Sequence, residues 1–573
     1  MRLKFLLIVP LIAAFASCGS PKAADGEYQF EIYATNDIHG KVFDINYTDS
    51  LPLKYSLASA ASVVRSARER AGENRVLLID NGDHLQGDNS VFYYNYIDTS
   101  SRHLFSEIVS FLRYDAVTVG NHDIEAGHDV YDKLFKHQSV PYLAANAINL
   151  KKGKPYFEPY KIIERDGIRI AIIGMTNPNI KKWLSQDLWL GMDFEEIIPS
   201  LEKWVKIVRE TEKPHIVIAA LHVGLGDTTV YEMENPARYV AANVKGIDLV
   251  FAAHDHKTTS EYVFNGEDSI LVIEGGGRSS AISKVTANIT IENGKVVKGK
   301  FAGETIQLDG IAPDPDYKAH FAPFYKAVRD FTIQKVGKLN DKISTRDAFF
   351  GPSAYIDMIH SLQLKASGAQ ISFAAPLSFD VTIEPKDLNY QDLLNLYPFE
   401  NQLFVIELTG EEIIRYLEFS YGRWVNTMKS KTDDFLQLNH GGKGERGKFN
   451  NHFFNFDSAA GILYEVDVRK PDGSKISIIS MADGTKFDLT AKYSVALSSY
   501  RANGGGDHLE KGCGISKSDL DKRVLNRYSD IREILYNQIK SDGFINAKPL
   551  NQWKFIPQDM ISQAIERDKK ELF

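Results

Sequence analysis

An α/β fold, α+β when the whole chain is counted, is predicted by three observations. From Tyr28 onward, short apolar runs alternate with stretches of helical periodicity. The apolar runs have the length and composition of buried strands. Polar residues capable of chemistry sit directly after those runs. Taking the elements in order, Phe30, Ile32 and Ala34 alternate as a strand does. Val76–Ile79, Ala116–Val119, Ile216–Leu221 and Leu249–Ala252 follow as apolar runs. Between them, Leu57–Arg70 reads as a helix, and Ile197, Leu201, Trp204, Val205 and Val208 recur at helical spacing. This alternation defines a first domain over 28–308. Pro313-Asp-Pro-Asp-Tyr317 opens an amphipathic stretch through Val336, a linking helix assigned to 309–338. A second domain spans 339–555, where Thr409-Gly-Glu-Glu412 resembles a capping box opening a helix with Ile413, Ile414 and Leu417 inward. Residues 556–573 form a polar tail with a helical pattern.

At 573 residues the chain is too long for one compact domain. Hydrophobic content of 43% and charged content of 25% are globular values, which exclude a disordered chain or a coiled coil. A net charge of −8 and the lack of basic stripes argue against binding polymeric nucleic acid. Two cysteines, Cys18 and Cys513, exclude a disulfide scaffold and a zinc ribbon.

The N-terminus is an address. Arg2 and Lys4 precede an apolar run, Phe5–Ser17, too short to span a bilayer. Phe15-Ala-Ser-Cys-Gly19 resembles a bacterial lipoprotein signal over 1–18, with Cys18 the lipid-bearing residue and 19–27 a tether. That implies an exported protein, periplasmic or attached to the outer membrane of a Gram-negative bacterium. The alternative is a secreted protein with Cys18 inside the discarded peptide. With Cys18 lipidated, Cys513 has no partner and is expected as a small packed thiol.

The chemistry lies at the strand ends. They lead into Thr35-Asn-Asp-Ile-His-Gly40, Asp80-Asn-Gly-Asp-His-Leu-Gln-Gly87, Gly120-Asn-His-Asp123, Leu221-His-Val-Gly224 and Ala253-His-Asp-His256. Open α/β sheets bind ligands at the carboxyl ends of their strands. One such tip is an ordinary turn. Five tips carrying Asp, Asn and His together imply metal.

These blocks, in this order, resemble the calcineurin-like metallophosphoesterases, and more closely the bacterial 5′-nucleotidase family. Leu396-Tyr-Pro-Phe-Glu-Asn401, Phe454-Asn-Phe-Asp457, Tyr464-Glu-Val-Asp-Val468 and Ser499-Tyr-Arg-Ala502 resemble its 2′,3′-cyclic-nucleotide 2′-phosphodiesterase/3′-nucleotidase branch. The resemblance implies a four-layered α/β/β/α metallophosphoesterase domain followed by a 5′-nucleotidase-type α/β domain. It implies two divalent cations, Zn²⁺ or Mn²⁺, without choosing between them. Asp37, His39, Asp83 and His256 would hold one; Asp83, Asn121, His222 and His254 would hold the other. Between them they would activate a hydroxide for in-line attack on phosphorus. His122 matches the catalytic histidine, oriented by Glu125 or by its rival Asp123. His84 and His128 match no ligand and are read as supporting or surface residues. Gln86 is placed near the bridging ligand without a role.

Phe399 and Tyr500 match the aromatic pair with which the family's second domain clamps a nucleobase. Arg501 is open between stacking, phosphate binding and a salt bridge, and Gly504-Gly-Gly506 reads as a flexible turn. One departure is marked. Many 5′-nucleotidases carry a Gly-Gly-Ile-Arg signature whose arginine binds substrate; here Ser372-Phe-Ala-Ala-Pro-Leu-Ser378 has no arginine. That favours the cyclic-nucleotide and 3′-nucleotide branch. Ala253 also stands where glycine is usual. The expected function is metal-dependent hydrolysis of nucleotide phosphate esters. The rivals are a 5′-nucleotidase or nucleotide-sugar hydrolase, and a nucleotide-binding lipoprotein without catalysis. Oligomeric state is not legible.

Overall fold

The computed structural model describes residues 23–573 apart from 138–139, 185, 267 and 443. The signal segment, Cys18 and the start of the tether lie outside the described residues. Among those described, no helix is long and apolar enough to cross a membrane.

The first domain is built from two six-stranded sheets packed face to face. In one, Gly26–Thr35, Val76–Asp80, Ala116–Thr118 and Tyr142–Leu143 run parallel, and Ala281–Glu292 pairs antiparallel with Gly26–Thr35. In the other, Ile168–Met175, Ile216–Leu221, Leu249–Phe251 and Asp268–Gly275 run parallel. Side chains alternate across each strand, so one sequence feeds two cores. Phe30, Ile32, Leu77 and Ile79 meet Ile170, Ile172, Ile218 and Phe251 between the sheets. On one outer face Tyr33, Leu78 and Val117 receive the helices Leu57–Ala71 and Leu104–Leu112. On the other, Ile173, Val217, Ala219 and Val250 receive Ile197–Thr211 and Ala237–Asn243. The layers are therefore α/β/β/α. Trp204 is only half-buried at the edge of its helix.

The linking helix is Pro315–Thr332, capped by Asp314, whose carboxylate accepts from Tyr317 N–H. Its Tyr317, Phe321 and Val328 join the first domain's core, so it is a docked element of that domain. The chain crosses to the second domain just beyond it, where Lys335–Leu339 pairs with Lys386–Asn389.

The second domain centres on a five-stranded sheet, ordered Ser458–Ala460, Ile371–Ala374, Lys492–Ser498, Gln402–Thr409, Val524–Asp530. Phe404, Ile406 and Leu408 pack to one side, Leu403 and Val405 to the other. Burying each large side chain contributes about 1.5–3 kcal/mol. The Thr409 capping box forms as expected, with Thr409 and Glu412 exchanging hydrogen bonds. Its helix buries Ile413 and Leu417, but Ile414 is only half-buried and Tyr416 fills the inward position. The stretch expected as a tail is the helix Gln558–Leu572, and its Ile561, Ala564 and Leu572 close this core. Cys513 is buried, its Sγ donating to the Glu412 carbonyl, and burial pushes its thiol up to about 12.

Candidate dinuclear metal centre

Strand register gathers the five tips. Thr35 lies opposite Asp80, and Asp80 opposite Val117, so the first three loops leave one sheet side by side. Leu221 lies opposite Met175 and Ala220 opposite Phe251, which sets the other two loops beside them. The backbone there is strained. Asp37 (φ 47°), His39 (48°), Asp83 (59°), His254 (78°) and His256 (57°) all adopt the left-handed region that side chains disfavour. Such residues cost about 1–3 kcal/mol each, persist only where surroundings over-determine them, and cluster at functional sites. Here Asp37 N–H donates to Gly82 O (2.9 Å) and His39 N–H to Asp83 O (3.0 Å). Asp37 in turn accepts from His254 N–H (3.0 Å). Gly120 is required by space: a Cβ there would stand 2.1 Å from Asp83 Oδ1. Ala253 keeps an ordinary φ, so its methyl group is accommodated without strain.

All seven expected ligands converge. Asp37, His39 and His256 form one group, with donor atoms within 4.8 Å of one another; Asp83, His222 and His254 form a second. Asn121 joins the second through Oδ1, 3.0 Å from His254 Nδ1. The groups adjoin: His222 Nε2 is 3.0 Å from Asp83 Oδ2 and 4.0 Å from Asp37 Oδ1.

The tautomers make this arrangement fit cations. His222 Nδ1 contacts the Asn81 carbonyl at 2.7 Å, and a carbonyl only accepts. Nδ1 therefore carries a proton, which leaves Nε2, facing a carboxylate oxygen, as the atom that takes either a second proton or a cation. His39 repeats the pattern: Nδ1 donates to Gln86 O (3.2 Å), and Nε2 faces His256 Nε2 at 3.1 Å. Lone pairs and carboxylates converging in a buried space repel unless positive charge lies between them. Imidazole and carboxylate donors suit Zn²⁺ or Mn²⁺.

The electrostatics state the same demand. Burial alone would lower the His222 pKa, yet Asp83 and then Asp37 raise it to about 10. Burial raises Asp37 to about 6, His222 only partly offsetting it. Asp83 lies well below the usual carboxylate range despite burial, because His222 and His122 face it.

His122 stands at the rim and makes an ion pair through Nδ1 with Glu125 Oε2. Its partner is thus Glu125. Asp123 instead accepts N–H groups from Asp83, His84, Leu85 and Gly120, which ties the Asp83 loop down. His84 is buried, stacked on Phe105 with its Nε2 at Tyr142 OH (3.0 Å). His128 pairs with Asp132 away from the centre. Gln86 supplies its carbonyl to His39 and lines the cleft.

Above the centre opens a cleft of about 1560 Å³ between the domains. His39, Asp83, Asn121, His122, His254 and His256 lie on one wall, Phe399 and Tyr500 on the other. Phe399 is 6.3 Å from the Phe454 ring, a third aromatic on that wall. Tyr500 is seated by Gly505, where a Cβ would come within 2.4 Å of its ring. The glycine run thus makes room for the tyrosine. Arg501 is buried and fully engaged: it pairs with Asp457 (2.7 and 2.9 Å) and donates to Asn455, Gly505 O and Phe454 O. Stacking on substrate and phosphate binding are both excluded for it; it holds the aromatic wall. The arginine-free segment presents Phe373, Ala374, Ala375 and Leu377 to the cleft, a mainly apolar surface, with Ser378 beside them donating to the Asn395 carbonyl.

Three supporting residues escaped sequence reasoning. Asn36 Nδ2 donates to Asp37 Oδ2 (2.7 Å), and its adjacency to the first motif was a usable signal. Glu234 Oε1 lies 3.2 Å from His254 Nε2, orienting that ring as carboxylates do for metal-bound histidines. Trp183 stacks on the same ring, centroids 5.2 Å apart. The last two come from a short helix, Ile180–Trp183, and from a loop, neither carrying a motif.

Comparison with known proteins matches two stretches of the chain. Residues 30–258 match the calcineurin-like phosphoesterase family, and 335–510 match the 5′-nucleotidase C-terminal domain. A 2′,3′-cyclic-nucleotide 2′-phosphodiesterase/3′-nucleotidase of Yersinia enterocolitica is 23% identical, over 96% of this chain and 91% of that relative. One of the same name from Haemophilus influenzae is 25% identical, over 93% and 88%. Among solved structures, a 5′-nucleotidase precursor from Thermus thermophilus superposes with a TM-score of 0.62 at 18% identity, covering 92% of this chain and 99% of its own.

Proposed function

We propose that this chain, which joins a calcineurin-like phosphoesterase domain to a 5′-nucleotidase C-terminal domain, hydrolyses 2′,3′-cyclic and 3′-phosphate esters of nucleotides. It is a metal-dependent phosphoric ester hydrolase. The observation that carries this reading is the pair of ligand groups adjoining at Asp83, at the base of a cleft with aromatic rings on its far wall.

Asp37, His39, Asp83 and His256 would hold one divalent cation, and Asp83, Asn121, His222 and His254 the other. When bound, such a pair supplies Lewis acidity toward phosphoryl oxygens and an activated water. His122, its Nδ1 tied to Glu125, presents Nε2 to the cleft and gives a proton there to the leaving sugar oxygen. Glu125 fixes the ring's orientation and favours its protonated form. Phe399 and Tyr500 hold the base by stacking, the tyrosine braced by the Arg501–Asp457 pair. The apolar Ala374–Leu377 wall supports the cyclic and 3′ branch over 5′-monophosphates, as do the names of the two relatives above.

The test is a substrate panel on Mn²⁺- or Zn²⁺-reconstituted protein. Turnover of 2′,3′-cyclic AMP and 3′-AMP is expected to exceed that of 5′-AMP. Activity on 5′-AMP alone refutes the branch; binding without turnover at saturating metal identifies a non-catalytic protein. Phe399→Ala is expected to raise KM for nucleotides about ten-fold or more, from about 1–3 kcal/mol of stacking per base.

Cys18 is proposed as the lipid attachment site of an exported, membrane-tethered enzyme. Cys18→Ser should move the protein from the membrane fraction to the soluble one, and unchanged partitioning counts against the anchor.

A further inference from the structure

The proposed chemistry leaves one requirement unassigned: a side chain that binds the phosphate itself. Among the described residues, the second domain offers no free Lys or Arg for it: the segment Ser372–Ser378 carries no arginine, and the one Lys or Arg lining the cleft from this side is Arg501. Every direction of that guanidinium is taken by Asp457, Asn455 and backbone carbonyls. The remaining Lys and Arg residues lining the cleft, among those described, are Lys41, Lys257 and Arg278, all from the first domain. Lys257 is neutralised by Asp255 at 2.9 Å.

Arg278 is different. Its side chain is exposed and, among the described residues, makes no hydrogen bond or ion pair. Its backbone, by contrast, is pinned to the metal centre: Arg278 N–H donates to Asp37 O at 2.7 Å. The residue before it packs against a ligand, since a Cβ on Gly277 would lie 2.7 Å from the His256 ring. Arg278 and Ser279 both adopt the left-handed region (φ 55° each), a strained turn of the kind kept where it aims a side chain. Ser279 Oγ donates to the Lys41 carbonyl at 3.1 Å, so the second unpaired cation is anchored beside the first. A free guanidinium on a fixed, strained turn has the planar donor fork that matches phosphoryl oxygens.

We propose that Arg278, with Lys41 beside it, is the phosphate-binding cation of this enzyme, taking over from the metal domain the task that an arginine of the second domain performs in many 5′-nucleotidases. The inference rests on the phosphoesterase reading above. It also separates recognition into halves: phosphate on the metal domain, base on the aromatic wall.

The experiment compares wild type with Arg278→Ala, Arg278→Lys and Phe399→Ala, all loaded with Mn²⁺. Orthophosphate binding is measured by calorimetry, metal content by elemental analysis, and turnover on 3′-AMP and on the base-free ester p-nitrophenyl phosphate. Arg278→Ala is expected to weaken orthophosphate binding roughly ten- to hundred-fold, as for loss of a charge-assisted hydrogen bond. It should raise KM by a similar factor on both esters, with metal content unchanged. Arg278→Lys should recover part of the loss, and Phe399→Ala should raise KM on 3′-AMP alone. Unchanged orthophosphate affinity and KM in Arg278→Ala overturns the proposal. So does a loss of metal, which would make Arg278 a prop for Asp37. Because the calorimetry needs no turnover, wild type that binds orthophosphate yet hydrolyses neither ester overturns the catalytic reading while still testing Arg278.

Discussion

Protein carrying Asp83→Ala is expected to leave metal reconstitution with both sites empty and with turnover at background. Asp83 is 3.0 Å from His222, and its Oδ1 also accepts the His122 N–H at 2.8 Å. A carboxylate shared between two cations is the one side chain whose loss costs both. Without cations an active-site water ionises far above neutral pH in place of near 7, so kcat/KM should fall by roughly four orders of magnitude or more, about 5 kcal/mol of transition-state stabilisation. The fold should survive, because the Asp83 loop is held by three backbone N–H groups, of residues 83, 84 and 85, bonded to Asp123. Elemental analysis and circular dichroism on one preparation check both halves. A variant that keeps one equivalent of metal shows that the two groups bind independently.

His122→Ala should give the opposite signature: both metals retained, KM little changed, and kcat reduced about 10²–10⁴-fold, the range for a general acid. Glu125→Gln should fall less far and carry a pH signature. Burial lowers the His122 pKa, but Asp83 and Glu125 outweigh it and raise it to about 9. The protonated ring is the working form, so activity is present below that pKa and declines as pH rises through it. Removing the Glu125 charge removes one of the raising influences, and bound cations act in the same direction. The alkaline limb of kcat should therefore move to lower pH in Glu125→Gln. A limb that stays in place assigns the titration to another group.

The parts of this molecule legible in the sequence are those in which chemistry is written locally. Asp37 and His39, Gly82 and Asp83, Asn121 and His122, and His254 and His256 each lie within a few residues after an apolar strand, so the pattern reports strand and ligand together. The four-layer architecture follows from strands apolar on both faces, such as Val76–Ile79, which demand cover on each side. What was not legible depends on distant segments meeting. Glu234 and Trp183 reach the His254 ring from a loop and a single helical turn too short to show periodicity, and Arg278 gains meaning only when the cleft shows which other cations are already paired. Arg501 was open in sequence because nothing local places Asp457 against it. Glu125 over Asp123 was decided by the short helix Asn121–Glu125, whose turn brings position i+3 under the His122 ring and points Asp123 back at the Asp83 loop. Ile414 failed as a core position because the helix turns Tyr416 inward, onto Phe373 at 4.1 Å.

Two cations sharing Asp83 would underlie every step proposed above, and anomalous diffraction from crystals grown with Mn²⁺ tests that sharing most directly. The predicted result is a pair of peaks about 3.5–4 Å apart, one beside His39 and His256, the other beside His222 and His254, with Asp83 between them. A single peak, or peaks too far apart for one carboxylate to touch both, contradicts it.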